Sequence, residues 1–183
     1  FQKQLAVPPK ELIDRRTNLF KNANFDALLL FNGDRSLNQV FPTFKYFTGF
    51  QPSMAAAIVK KNNGSIVTMR ENEEKAKTES YYDFTYFPGL IRSEATGKLL
   101  RDLLGDAKTI GFMNYEIAAG FYKAFEQSLE GLKFVDATKG VEKVTMYKSK
   151  FEIDKITEAV NMTRKILGKL VPWEYKTEID LQR

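Results

Sequence analysis

The sequence predicts an α/β fold, a three-layer α/β/α sandwich built on a mixed sheet, and three observations carry that expectation. Short unbroken apolar runs such as Ala27-Leu28-Leu29-Leu30-Phe31 suit strands that are covered on both faces. Segments with apolar residues at helical spacing lie between such runs, as in Leu99, Leu100, Leu103 and Leu104. The two kinds alternate along the chain, which is the pattern of a sheet with helices on both sides.

The elements follow in order. Pro8-Pro9 opens a helix, since proline is tolerated in the first turn, and Leu12, Ile13, Leu19, Phe20 and Ala23 cover one of its faces. Asp26 leads into the apolar run at Ala27, and Asn32-Gly33-Asp34 ends it. Phe44-Lys45-Tyr46-Phe47-Thr48-Gly49-Phe50 is an aromatic stretch with β character, whose glycine suits a bulge or a close backbone approach. Met54 to Lys60 and Ser65 to Arg70 read as strands joined by Lys61-Asn62-Asn63-Gly64, where Asn-Gly accepts the positive φ of a tight hairpin. Asn72 to Ser80 reads as a charged helix, and Phe84 to Phe87 as a short edge strand ended by Pro88-Gly89.

Ser93 caps a helix that Gly105 stops. Lys108 to Met113 is a strand. Asn114 then caps a helix with Ile117, Phe121, Ala124, Phe125 and Leu129 on one face, Gly131 ends it, and Leu132 to Val135 is again a strand. Ser149-Lys150-Phe151-Glu152 is a capping box that opens a helix of about 21 residues, with Ile153, Ile156, Val160, Leu167 and Leu170 at helical spacing. Glu152, Asp154 and Glu158 near its start and Arg164, Lys165 and Lys169 near its end suit the helix dipole. Val171-Pro172-Trp173 breaks that helix, and Thr177-Glu178-Ile179-Asp180-Leu181 reads as the start of another. The division expected is an α/β domain over residues 1–147 and, over 148–183, a connector helix leading into a further domain past Arg183.

Composition narrows the function classes. With 183 residues, 43% of them hydrophobic and 28% charged, the chain can bury a full core. It has no cysteine, which excludes disulfides, thiolate metal sites and cysteine nucleophiles and suits a reducing compartment. No apolar run is long enough to span a membrane, and no signal peptide is visible, so a cytoplasmic location is expected. It has no histidine either, which excludes a Ser-His-Asp triad and any His-containing zinc or facial-triad iron site. The net charge of +5 is spread among 23 acidic residues; even Lys143, Lys148 and Lys150 are flanked by Glu142, Glu152 and Asp154. Nucleic-acid binding is not expected from such a pattern.

No local motif supplies a catalytic centre. Gly97-Lys98 lacks the first glycine and the Ser or Thr of a phosphate loop. Asp26, Asp34 and Asp83 lie near strand ends, where carboxylates can hold magnesium, but they share no motif spacing and read as turn formers. A small carboxylate-dependent metal enzyme is thus the least supported reading. From the residues alone a stand-alone binding or scaffold module remains open.

Taken together, three stretches resemble the N-terminal domain of the creatinase/prolidase family, which includes Xaa-Pro dipeptidases and aminopeptidase P. Tyr46-Phe47-Thr48-Gly49-Phe50 followed by Ala55-Ala56-Ala57-Ile58-Val59 is similar to the family's YFTGF string and the strand after it. Ile110-Gly111-Phe112 resembles its short "IG" strand, and Lys148-Ser149-Lys150-Phe151-Glu152-Ile153 with Ala159 resembles the helix that opens the catalytic domain. Lys45, Thr145, Tyr147 and Trp173 depart from the family's usual residues. The resemblance implies a non-catalytic domain ahead of a catalytic pita-bread domain that holds two divalent metal ions and attacks the peptide bond before proline. It further implies cleft shaping and a homodimer partner, with Tyr46, Phe47 and Thr48 the positions that approach a proline-containing peptide.

Overall fold

The computed structural model describes residues 5–33, 41–89, 93–116 and 119–168. It divides into two units, Phe1–Thr145 and Met146–Arg183. The first holds α1 (Pro9–Phe20), β1 (Ala27–Asn32), α2 (Pro42–Thr48), β2 (Ala55–Lys60), β3 (Gly64–Thr68), a 3-10 turn (Arg70–Asn72), α3 (Glu73–Glu79), β4 (Asp83–Tyr86), α4 (Glu94–Leu104), β5 (Thr109–Phe112), α5 (Ala119–Ser128) and β6 (Lys133–Asp136), with α6 (Thr138–Met146) at its end. The second holds α7 (Lys150–Leu167).

The strands form one mixed sheet in the order β4-β3-β2-β1-β5-β6. β1 runs parallel to β5 and β5 to β6, β3 runs parallel to β4, and β2 is antiparallel to both its neighbours. Alternation along the central strands builds the two cores. Leu28 and Leu30 of β1 join Leu19 of α1, Phe44 and Phe47 of α2, Ala76 of α3 and Val141 of α6 on one face. Ala27 and Leu29 join Leu100 and Leu104 of α4 and Phe125 of α5, with Leu129 just past it, on the other. The three-layer sandwich is therefore present, with both faces of β1 buried as its unbroken apolar run requires.

Several local expectations are corrected. Residues 42–48 are helical, not extended. Pro42 fixes the first turn, Phe44 and Phe47 both point into the core, and Gly49 ends the helix in a left-handed conformation with φ 69°. Burial of one aromatic face thus overrides the β propensity of its residues. The hairpin between β2 and β3 forms, with the Lys60 N–H donating to the Asn63 carbonyl at 2.8 Å, but Gly64 is not among the positive-φ glycines. It is needed for closeness: a Cβ there would lie 2.7 Å from the Tyr82 ring.

Asn114 does not cap α5; it is tied instead to Asp136 and Thr138. Helix α6 is an addition, because only Val141 and Thr138 of its residues are buried and the apolar spacing is faint. Its entry is fixed by Asp136, whose carboxylate accepts from the Thr138 N–H at 2.8 Å. On α7 the capping box is present as expected, Ser149 and Glu152 each accepting the other's backbone N–H. Ile117, Val171-Pro172-Trp173 and Thr177 to Leu181 lie outside the described residues.

Candidate functional site

Five strands end on one edge of the sheet, since β1, β3, β4, β5 and β6 all run the same way. Open α/β sheets bind their ligands outside the carboxyl ends of such strands. Here that edge gathers most of the buried polar side chains: Asn32, Thr43, Thr48, Thr68, Asn72, Glu116 and Thr138 are all at most 9% exposed.

Three polar groups organise it. Asn32 at the end of β1 donates through Nδ2 to the Pro52 carbonyl and accepts the Phe41 N–H at 3.1 Å, holding the entries to α2 and β2 together. Asn72 donates to Thr68 Oγ1 at 3.0 Å and, with Glu71, holds Ser53. At the far end Asn114, Asp136 and Thr138 form a third cluster, in which the Thr138 hydroxyl and N–H hold the Asp136 carboxyl below its usual range.

Glu116 sits between these groups. It is 6% exposed; its Oε1 accepts the Thr43 hydroxyl at 2.6 Å, and its Oε2 is buried without a hydrogen-bond partner. Burial pushes its carboxyl above the usual glutamate range, against the pull of the Thr43 hydrogen bonds. Thr43 is in the first turn of α2, so the pair ties the helix carrying Tyr46, Phe47 and Thr48 to the end of β5.

The three expected substrate positions are unequal in exposure. Phe47 and Thr48 are fully buried, and the Thr48 hydroxyl donates to the Phe44 carbonyl at 2.7 Å while accepting the Phe50 N–H. Tyr46 is partly exposed; Arg15 lies 4.1 Å over its ring and donates to its carbonyl at 2.8 Å. Of the three strand-end carboxylates, Asp26 accepts the Lys108 and Thr109 N–H groups at 2.9 Å each, which holds its carboxyl below its usual range. Asp83 starts β4, and Asp34 lies outside the described residues. Among the described residues no three His, Cys, Asp or Glu side chains gather as metal ligands do, and none of the helices is long and apolar enough to cross a membrane.

The comparisons with known proteins agree with this architecture. Residues 13–146 match the profile of the family described as the Creatinase/Prolidase N-terminal domain. A search of curated proteins finds no match. Among solved structures, an X-Pro aminopeptidase from Thermotoga maritima superposes with a TM-score of 0.69 at 21% identity, over 81% of this chain and 41% of that one. The prolidase of Pyrococcus horikoshii gives 0.64 at 17% identity, over 88% and 43%. The isolated N-terminal domain of the cytoplasmic peptidase PepQ from Mycobacterium tuberculosis gives 0.52 at 18% identity, over 73% and 97%. The chain thus spans less than half the length of the two whole enzymes and nearly all of the isolated domain.

Proposed function

As the chain belongs to the creatinase/prolidase N-terminal domain family, we propose that it is the non-catalytic N-terminal domain of a Xaa-Pro peptidase-like metallohydrolase, where it shapes the substrate cleft and makes subunit contacts. The observation that carries this reading is the family match across residues 13–146. Three of the carboxylates at strand ends already hold hydrogen bonds, Asp26 with backbone amides, Asp136 with Thr138 and Glu116 with Thr43. In this reading the ligands for the two divalent ions that the family's chemistry calls for are supplied by a catalytic domain, not by these carboxylates.

In this reading the boundary near residues 147–148 separates the α/β domain from the start of that catalytic domain. Helix α7 carries Ile153, Ile156 and Val160 on one side, and none of its residues is buried. Apolar stripes of that kind are covered by the next domain. Tyr46 is the member of the aromatic string that approaches a proline-containing peptide, while Phe47 and Thr48 hold its helix against the sheet. The protein works as a homodimer in the cytoplasm.

Turnover of Xaa-Pro dipeptides and longer X-Pro peptides with a divalent metal added tests the proposal. The natural, uncut protein is expected to cleave them and the 183-residue chain to be inert. Cleavage by the 183-residue chain itself would sink it.

A further inference from the structure

The chain contains two Asn-Gly dipeptides, Asn32-Gly33 and Asn63-Gly64, and the fold treats them differently. Asn32 ends β1 and is 1% exposed; its Nδ2 donates to the Pro52 carbonyl and its Oδ1 accepts the Phe41 N–H at 3.1 Å. Both ends of that side-chain amide are therefore held. Asn63 is exposed in the turn between β2 and β3, and its side chain makes no hydrogen bond to any described residue. The turn is closed by the Lys60 N–H, which donates to the Asn63 carbonyl at 2.8 Å. Gly64 stands opposite Val59, one step on from that bonded pair, so by the alternation of an antiparallel ladder its N–H points away from β2 and is not held by that strand.

A glycine has no Cβ to obstruct its own amide nitrogen, so an exposed asparagine before glycine is open to attack by that nitrogen. We propose that Asn63 is a site of spontaneous deamidation, with the Gly64 amide nitrogen as the nucleophile. That nitrogen loses its proton to solvent base and attacks Asn63 Cγ; the N–Cγ bond forms, the Cγ–Nδ2 bond breaks, and ammonia leaves. Water then opens the cyclic imide at either carbonyl, giving isoaspartate or aspartate. The product replaces a neutral amide by a carboxylate and lowers the net charge of +5 by one. In isoaspartate the main chain runs through an added methylene directly before Gly64, and the carbonyl that held Lys60 becomes part of a side-chain carboxylate. Gly64 has no room to shift toward Tyr82, where a Cβ would already lie 2.7 Å from the ring. The modification thus acts on the pairing of β2 with β3. The hairpin lies at the end of the sheet opposite the carboxyl edge, so the site is independent of the peptidase reading.

Ageing of the 183-residue chain in mildly alkaline buffer tests this, with the gain of negative charge followed by isoelectric focusing and the modified residue located by peptide mass mapping. A parallel sample in urea exposes both dipeptides equally. In the folded chain Asn63 is expected to deamidate at least about tenfold faster than Asn32, since attack at Asn32 must first break its two hydrogen bonds. In urea the two rates should converge. Asn63→Gln should remove most of the acidic shift of the folded chain, because the longer side chain closes its ring far more slowly. Asn63 staying intact in the folded chain while it reacts in urea, or Asn32 reacting as fast as Asn63 in the folded chain, overturns the proposal.

Discussion

The Thr43 hydroxyl donates to Glu116 Oε1 at 2.6 Å across 73 residues of sequence, and this one bond joins the first turn of α2 to the end of β5. Removing the hydroxyl takes from a buried carboxyl its short side-chain hydrogen bond. Thr43→Val is therefore expected to destabilise the domain by about 1–3 kcal/mol, read from urea denaturation. An unchanged midpoint would show that the tether contributes nothing.

The same carboxyl gives stability a pH dependence of definite sign. Burial raises the Glu116 pKa above its unfolded value, so between those two values the folded state binds more protons than the unfolded one. Its contribution is full below the unfolded value of about 4.3 and is lost as pH rises through the folded value. Glu116→Gln keeps the acceptor for Thr43 and removes the charge. The variant is expected to lose that fall in stability with rising pH and to be at least as stable as the parent at neutral pH. Urea midpoints measured across the range check this, and a steeper fall in the variant would contradict it.

Close helix packing supplies another test. A Cβ on Gly97 of α4 would lie 2.3 Å from the Cβ of Ser128 at the end of α5. Helix propensity alone would make Gly97→Ala stabilising by about 1 kcal/mol, whereas the contact makes it destabilising by about 1–3 kcal/mol. The sign decides. In Ser128→Gly the alanine should be tolerated, and a double-mutant cycle by thermal unfolding would report the coupling.

Gly49 tests the fold of the aromatic string. Its φ of 69° opposes a side chain, and so does Leu12, whose Cδ1 would lie only 3.3 Å from an added Cβ. Gly49→Ala is expected to cost about 1–2 kcal/mol, and amide exchange across α2 should quicken with it. An alanine that leaves both unchanged would show that the left-handed cap does not hold the helix end.

How far the sequence foretells this structure follows from the range of the interactions. Ala27 to Phe31 and the β2–β3 hairpin are legible because each rests on local composition and a turn of a few residues. The Ser149–Glu152 box is legible for the same reason, its partners being three residues apart. Helix α2 is hidden because Phe44, Tyr46, Phe47 and Thr48 favour strands, while the signals that decide it are Pro42 and Gly49 at its ends. Glu116 and Thr43 cannot be paired from sequence, since neither belongs to a motif and the fold alone brings them together. Asn114 has the look of a cap, yet its partners, Asp136 and Thr138, lie on the next βα unit. Asp-x-Thr after an apolar strand is the available signal for α6.

The central claim is that this domain precedes a catalytic one, and the intact mass of the natural protein from its source tests it most directly. This chain weighs 21.0 kDa and covers 41% to 43% of the length of the two whole peptidases it superposes on. The expected result is a mass more than twice that of the chain, with the added sequence rich in Asp, Glu and His. A natural protein of 21.0 kDa would contradict the claim and leave a binding module that keeps the fold without the enzyme.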